Sequence, residues 1–171
     1  CWALRRCDTR FSKIRPPGSW RECTLNLLRF KKDDPTYGFL SNYYPCSFVL
    51  DGIYYLNAEA AFQAQKVPLE ERRQFACLMP NEAKKLGRRV QLSPDWDEVR
   101  DEAMRRVLYA KFSQNEEFKQ RLLATGDRHI IEDTTGWHDN YWGDCQCPRC
   151  KGVHGQNKLG MMLEEIRTKL K

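Results

Sequence analysis

One short segment of the chain carries an acid, an amide and a cation at helical spacing. Glu59, Gln63 and Lys66 stand at positions i, i+4 and i+7, so in a helix all three project from one face. Asn57 precedes them as a helix N-cap residue, and Phe62 borders the same face. Such a row could hold a polar ligand. Spacing alone favours the simpler interpretation, which is a solvated face stabilised by i,i+4 pairs.

A second group with chemical potential lies near the C-terminus. Cys145, Cys147, Cys150 and His154 form the pattern C-x-C-x2-C-x3-H, and four such ligands suffice for tetrahedral zinc. Structural zinc sites usually take their ligands from two separated segments, whereas this set is contiguous. Cys147 and Cys150 are the best pair, and the fourth ligand could be His154, Cys145 or a distant residue. The sequence therefore predicts either a structural zinc site or free thiols in a loop.

Length and composition indicate one globular domain with a modest positive charge. The chain has 171 residues, 41% of them apolar and 30% charged, and a net charge of +6. That charge permits an anionic partner such as phosphate or nucleic acid. Apolar runs are too short to span a membrane, and no signal peptide is visible, so we expect an intracellular protein with reduced thiols, cytoplasmic or, in a eukaryote, nuclear. Because the chain begins at Cys1, we also expect residues to be missing upstream.

The elements that must position these residues follow a basic N-terminal extension, predicted for residues 1–23. Pro16-Pro17-Gly18 separates this extension from a domain predicted to span residues 24–171. Leu25 to Phe30 reads as a first strand. A hairpin follows, because the Asp51-Gly52 pair between two apolar runs is a strong type I′ turn signal. Its second strand leads directly to the Asn57 cap.

Beyond the hairpin the pattern is mostly helical. Helical segments are predicted over Leu69–Met79, Asn81–Arg89, Pro94–Lys111, Gln114–Ala124 and Leu159–Leu170. In the third of these, apolar residues recur at core spacing: Trp96, Val99, Ala103, Val107 and Ala110. The predicted fold is a single compact, helix-dominated α+β domain in which a small antiparallel β element packs against several helices.

Eight short motifs follow one another along this domain. They are Phe39-Leu-Ser-Asn-Tyr43, Glu59-x-x-Phe-Gln-Ala-Gln-Lys66, Leu86-Gly-Arg88, Asp95-Trp96, Met104 with Ala110-Lys-Phe112, Leu122-Leu-Ala-Thr-Gly126, Asp139-x-Tyr-Trp-Gly143 and Gly155-Gln-Asn-Lys-Leu-Gly160. In this order they resemble the NADAR family, also called YbiA-like, over about residues 28 to 169. Each fragment alone is weak, and the ordered set is specific.

The resemblance implies a hydrolase that cleaves N-glycosidic bonds of ribosyl compounds. One branch of the family acts on early intermediates of riboflavin synthesis, and another removes ADP-ribose from guanine in nucleic acid. We expect an ADP-ribosyl substrate, such as ADP-ribosylated DNA or RNA, with a riboflavin-pathway ribosylaminopyrimidine phosphate as the alternative. A non-catalytic module that binds ADP-ribose, NAD or nucleic acid is an alternative of another class. No cofactor is expected for catalysis, which leaves structural zinc as the possible metal.

Two carboxylates are candidates for this chemistry. Cleavage between ribose and nitrogen passes through an oxocarbenium-like state, which a carboxylate beneath the anomeric carbon stabilises while it orients or deprotonates water. Glu59 matches the glutamate of the family motif and is the first candidate. Asp139 could bind ribose hydroxyls or share the acid/base work, although it could equally form a turn.

Further residues are predicted to bind substrate. They are Asn42, Phe62, Gln63, Lys66, Arg88, Trp96, Tyr141, Trp142, Gly143 and Asn157. Aromatic rings could stack on a base, and a guanidinium suits a phosphate. Each also has a structural alternative, such as core packing for Trp96 and a cap or turn for Asn157. The Cys-rich insertion, residues 144–154, departs from the plainer Gly-rich loop of the family and could reshape the rim of the pocket.

Overall fold

A computed structural model describes residues 26–171, so the predicted extension over residues 1–23 lies outside the described residues. Within them the strands and α-helices are β1 (Leu27–Phe30), β2 (Pro45–Leu50), β3 (Ile53–Asn57), α1 (Ala58–Ala64), α2 (Pro80–Gly87), α3 (Trp96–Ser113), α4 (Glu116–Leu123), β4 (His129–Glu132) and α5 (Lys158–Lys169). Short 3-10 helices cover Gly38–Leu40, Leu69–Phe75 and Pro148–Cys150. The helix-dominated α+β fold is confirmed. None of the helices in residues 26–171 has the length and hydropathy that a bilayer crossing requires.

The hairpin forms where the sequence predicts it. β2 and β3 pair antiparallel, and Leu50 faces Ile53 across the turn. Asp51 and Gly52 adopt φ values of 53° and 72°, the two positive values of a type I′ turn. Alternate residues of both strands are buried, so one face of the hairpin packs on the helices and the other faces solvent. This packing fixes the direction in which the chain enters α1.

Asn57 caps α1 as predicted. Its side-chain oxygen accepts a 2.8 Å hydrogen bond from the backbone N–H of Ala60, and its amide nitrogen donates to the carbonyl of Leu78. All seven residues of α1 are buried, because the helix is packed against α2 and α3. The simpler interpretation of its polar stripe, a solvated face, is therefore wrong: Glu59 and Gln63 point into the protein.

The fold also contains a parallel strand pair that was not predicted from the sequence. β1 pairs with β4, so that Leu28 lies opposite Ile130 and Phe30 lies opposite Glu132. The two β-sheets of residues 26–171 are thus one antiparallel hairpin and one parallel pair. α5 packs against β4, and position 160 must be glycine-sized there because a side chain would overlap the carbonyl of Ile130. The parallel pair places Glu132 at a strand end, where the chain turns toward a cavity.

The longest helix, α3, buries the predicted stripe at every position except Val99. Trp96, Ala103, Val107 and Ala110 are buried, whereas Val99 is 38% exposed. Lys111, near the helix end, is fully buried and donates hydrogen bonds to the carbonyls of Phe39 and Ser41. These bonds tie α3 to the segment that begins the cavity wall.

Candidate active site

A cavity of about 500 Å³ opens between α1, α2, the start of α3 and the loop that follows β4. Its wall combines acidic, basic and aromatic side chains, which suits a charged ligand with a ring system. Of the predicted site residues, Asn42, Glu59, Phe62, Gln63, Lys66, Arg88, Trp96, Asp139 and Trp142 line this cavity. Segments far apart in sequence are therefore brought together at one place.

Glu59 stands at the closed end of the cavity, in the first turn of α1. Its side chain is buried, and one carboxylate oxygen accepts a 2.9 Å hydrogen bond from the amide of Gln63. Burial raises the pKa of Glu59, while the charge of Lys84, the hydrogen bond from Gln63 and the charges of Lys66 and Arg88 lower it. The pKa of Glu59 is raised overall, so burial outweighs the nearby cations, which limit the rise.

Glu132 is a second carboxylate in the cavity, which the sequence analysis missed. It follows the buried Ile130 at the end of β4, and its backbone N–H is held by the side chain of Asn157. Burial, together with the negative charges of Asp139 and Glu59, raises the pKa of Glu132 to about 8, and the charge of Lys84 opposes this rise. A glutamate after two isoleucines carries no motif, so its position emerges only from the pairing of β1 with β4.

The two glutamates occupy contrasting electrostatic environments. Glu59 has Lys84, Lys66 and Arg88 near it, whereas Glu132 has two carboxylates and Lys84 as its charged neighbours. Burial raises the pKa of both carboxyl groups; the neighbouring charges oppose that rise at Glu59, whereas at Glu132 the two carboxylates add to it. Two carboxyl groups whose charged neighbours differ in this way are suited to act as base and acid in one reaction.

Asp139 lines the cavity and also forms a turn. One of its carboxylate oxygens accepts 2.9 Å hydrogen bonds from the backbone N–H groups of Tyr141 and Trp142. The two alternatives weighed for this residue are therefore compatible, because a single carboxylate both closes the loop and presents its charge to the cavity. That charge acts on Glu132.

Cationic side chains make up a large part of the cavity lining. Those that line it are Lys32, Lys66, Lys84, Lys85, Arg88 and Arg100. Lys66 donates a 3.1 Å hydrogen bond to the carbonyl of Gly87, and burial lowers its pKa. Lys84 and Arg88 stand one helical turn apart at the end of α2, where they can reach a common anion. The adjacent Arg89 does not line the cavity.

Aromatic rings form another part of the wall. The ring centroid of Phe62 lies 5.5 Å from that of Trp96 and 5.4 Å from that of Trp142. Trp96 is buried, so its predicted core role and its place in the wall coincide. Trp137, which the sequence analysis did not select, also lines the cavity and is 45% exposed. It provides a ring at the entrance, where a base could stack.

Two buried amides in the wall keep an oxygen without a protein partner among residues 26–171. They are the side-chain oxygens of Asn42 and Gln63. The amide nitrogen of Asn42 lies 3.3 Å from the sulfur of Met104, and its backbone carbonyl accepts from the N–H of Glu59. An unpaired buried acceptor costs stability unless a ligand or water supplies a donor. Asn42 is therefore suited to accept a hydroxyl or amino group of a substrate.

The structure corrects the prediction for Tyr141, Gly143 and Asn157, which do not line the cavity. Tyr141 donates a 2.6 Å hydrogen bond from its hydroxyl to Asp101 on α3. Gly143 passes so close to the backbone of Glu132 that a Cβ would lie 2.5 Å from its carbonyl oxygen. These residues hold the wall in place from behind.

Asn157 has a similar positioning role. Its side chain accepts a hydrogen bond from the N–H of Glu132 and donates one to the carbonyl of Ile130, so it bridges α5 and β4. It adopts a left-handed conformation with φ of 49°, which asparagine tolerates better than most residues. Asn157 occupies the N-cap position of α5 but makes no side-chain capping hydrogen bond, so its side chain serves to tie the start of this helix to β4.

A cluster of possible metal ligands lies at the rim of the cavity. His138, Cys145, Cys147 and Cys150 place their ligand atoms within 4.8 Å of one another. Of the candidates for the remaining ligands, Cys145 belongs to this group, whereas His154 is exposed and does not; His138 takes its place. The chain reverses in the loop after β4, and this reversal brings His138 to the thiols from the opposite side. The cluster could bind a metal ion.

Comparison with known proteins gives matches that cover most of the chain. The NADAR domain family matches residues 29–171. The chain is 34% identical over 150 residues to the N-glycosidase YbiA of Escherichia coli (strain K12), and the alignment covers 84% of this chain and 88% of that protein. It is 32% identical to an N-glycosidase of Nostoc punctiforme, over 84% of this chain and 92% of that protein.

A longer relative and a solved structure give related matches. The chain is 35% identical to a riboflavin biosynthesis protein of Vibrio vulnificus (strain YJ016) over 84% of its own length, but spans only 38% of that protein. The NMR structure of the E. coli protein YbiA superposes with a TM-score of 0.71 and 32% sequence identity, over 85% of this chain and 84% of that one. Sequence and fold therefore agree over nearly all of the described residues.

Proposed function

The chain belongs to the NADAR domain family, and from this membership we propose that it is an N-glycosidase whose substrate carries an ADP-ribosyl group. The bond cleaved would join the anomeric carbon of ribose to a nitrogen of a base. Glu59 and Glu132 would carry the chemistry, and Asp139 would hold ribose hydroxyls. The observation that supports this assignment best is that two buried glutamates share one cavity, Glu59 with three cationic neighbours and Glu132 with two carboxylates and one cation as neighbours.

In the proposed reaction, Glu59 is ionised and Glu132 is protonated when substrate binds. The bond between the anomeric carbon and nitrogen breaks, its electron pair goes to the base, and Glu132 donates a proton to the departing base. The carboxylate of Glu59 stabilises the positive charge on ribose. Water then adds to the anomeric carbon and gives its proton to Glu59. One water is consumed, and free base and free ribose derivative leave after the two glutamates exchange a proton with solvent. Side chains and water supply every step.

The charge distribution supports a substrate that carries phosphate. Six cationic side chains line the cavity against three carboxylates, and Lys84 and Arg88 are close enough in sequence to grip one anion together. A pyrophosphate would engage more of these cations than a single phosphate would. This excess favours an ADP-ribosyl substrate, with guanine in nucleic acid as the base that Trp137 or Trp142 could stack.

A ribosylaminopyrimidine phosphate is the second candidate substrate. It is favoured by the name of the V. vulnificus relative, a riboflavin biosynthesis protein. Because it also joins a phosphorylated ribose to a nitrogen, the same glutamates and cations could act on it. The two candidates differ in size and in the number of phosphates, so direct assay separates them.

The test is incubation with two substrates in parallel. Purified protein is mixed with an oligonucleotide that carries ADP-ribose on guanine and, separately, with a ribosylaminopyrimidine phosphate, and products are identified by mass spectrometry. We expect release of ADP-ribose and restored guanine in the first reaction, and no such release by Glu59→Gln. Turnover of the second substrate alone would move the assignment to riboflavin-type intermediates. Tight binding without turnover of either would favour a binding module instead.

A further inference from the structure

We propose that His138, Cys145, Cys147 and Cys150 bind one structural zinc ion, which fastens the insertion of residues 144–154 to the rim of the cavity. Their ligand atoms lie within 4.8 Å of one another, and three thiolates with one imidazole are a donor set that zinc prefers. This inference concerns a site outside the proposed chemistry. It therefore stands or falls independently of the substrate assignment.

Distances within the cluster fit a tetrahedral site. The Nδ1 atom of His138 lies 3.2 Å from the sulfur of Cys147 and 3.7 Å from the sulfurs of Cys145 and Cys150. Zinc–sulfur and zinc–nitrogen bonds of about 2.3 and 2.0–2.1 Å at tetrahedral angles place nitrogen and sulfur about 3.6 Å apart. The side chains thus have nearly the separation that an ion at their centre would impose.

The backbone around the cluster is shaped for metal binding. Cys147 and Cys150 are joined by a tight turn, in which the N–H of Cys150 donates a 3.0 Å hydrogen bond to the carbonyl of Cys147. The N–H of Cys145 is held by the side chain of Asn140 at 2.9 Å. His138 comes from the loop before the insertion. The ligand set thus joins the insertion to the loop before it, instead of lying within the insertion alone.

One present contact must change when zinc binds. A guanidinium nitrogen of Arg149 lies 2.6 Å from Nε2 of His138, so Nε2 must accept the hydrogen bond. Zinc bound to Nδ1 leaves the ring proton on Nε2, and the imidazole and the guanidinium would then both be donors. Arg149 is exposed and can turn into solvent at little cost. Zinc binding therefore separates Arg149 from His138 without moving the backbone.

The position of His138 indicates which part of the cavity wall the ion would stabilise. Its neighbours in sequence, Trp137 and Asp139, both line the cavity. His138 itself adopts φ of 59°, a left-handed conformation that is costly for a non-glycine residue unless its surroundings hold it. An ion bound to its ring would hold this backbone and thereby the two wall residues on either side. The predicted consequence is an ordered rim, with no direct part in bond cleavage.

Elemental analysis of the full chain tests the proposal. Protein expressed with added zinc should contain about one zinc per chain, and His138→Asn and Cys147→Ser should lose at least most of it. His154→Asn and Cys77→Ser are the matched controls, since His154 lies in the same insertion and Cys77 is an exposed thiol outside the cluster. Both controls should keep the wild-type zinc content.

A second measurement uses only the wild-type protein, so its result does not depend on whether the variants fold. Cobalt(II) added to metal-free wild-type protein should give the intense absorption of a tetrahedral thiolate site, and zinc should displace it. The proposal is overturned by wild-type protein that binds neither ion, by a disulfide among Cys145, Cys147 and Cys150 in freshly purified protein, or by loss of zinc in His154→Asn with retention in His138→Asn.

Discussion

The amide nitrogen of Gln63 lies 2.9 Å from a carboxylate oxygen of Glu59, one helical turn earlier in α1. Both side chains are buried, so this bond holds the acid in one orientation at the closed end of the cavity. The oxygen of the same amide lies against Gly87, where a larger residue would overlap it. An acid, its orienting amide and a glycine on the facing helix thus form one interlocking unit.

Replacement of Glu59 by glutamine should separate activity from stability. We expect Glu59→Gln to lower kcat by about 100-fold or more, because the amide cannot stabilise the ribosyl cation or take a proton from water. The fold should be retained, since glutamine has the same shape and places no charge in a buried position. Glycosidase rates and thermal unfolding of the same preparation check this. Wild-type rates in a folded variant would remove Glu59 from the mechanism.

Glu132 should give the reaction an alkaline limit. The pKa of Glu132 is raised to about 8, so the carboxyl is protonated at neutral pH and loses its proton as pH rises through about 8. We expect kcat/KM to fall there, and the residual rate of Glu132→Gln to lack this decline. Asp139→Asn keeps the turn-forming oxygen but removes a negative charge, so it should move the decline to lower pH. A decline that stays in place in Asp139→Asn would contradict the electrostatic assignment.

The same residue should make stability depend on pH. A folded-state pKa raised above its unfolded value means that the folded protein binds the proton more tightly. The contribution of Glu132 is then fully present below about pH 4.3, the usual value for glutamate, and is lost as pH rises through about 8. Urea unfolding across this range should show a steeper loss of stability for wild type than for Glu132→Gln. Equal slopes for the two proteins would contradict it.

Gly87 offers a test of the orienting amide. An alanine Cβ at this position would lie 2.8 Å from the side-chain carbon Cδ of Gln63 and closer still to its oxygen. We expect Gly87→Ala to displace Gln63, to lower activity about tenfold and to cost about 1–3 kcal/mol of stability through overpacking. In a Gln63→Ala background the overlapping Cδ and oxygen are gone and only the Cβ of residue 63 remains, 3.2 Å from the added Cβ, so Gly87→Ala should cost much less stability than in wild type. A double-mutant cycle in urea measures this coupling, and equal costs in the two backgrounds would contradict it.

Local features of this fold were readable from sequence, and features that depend on distant pairing were not. The turn at Asp51-Gly52 and the cap at Asn57 are set by neighbouring residues, and both predictions are confirmed. Glu132 reaches the cavity only because β4 pairs with β1, about 100 residues earlier in the chain. No local pattern encodes that contact, so periodicity could not find it.

The same contrast between local and long-range features applies to the candidate site. Spacing placed Glu59, Gln63 and Lys66 on one face, but whether that face meets water or a cavity depends on α2 and α3 packing against α1. The histidine of the metal cluster could not be chosen from spacing either. His154 has the regular spacing, whereas His138 reaches the thiols because the loop after β4 reverses direction.

Adjacent arginines at the end of α2 provide a test of phosphate recognition with an internal control. Arg88 lines the cavity and Arg89 does not, although both are exposed and carry the same charge. We expect Arg88→Gln to raise KM about 10- to 100-fold for a phosphorylated substrate, as loss of a charged hydrogen bond of about 1.5–3 kcal/mol implies, with little change in kcat. Arg89→Gln should leave KM within about twofold, because only long-range charge is lost. Raising the salt concentration should weaken wild-type binding more than binding by Arg88→Gln, since the variant has already lost that attraction. Equal effects of the two substitutions would show that net charge, rather than a phosphate contact at Arg88, controls binding.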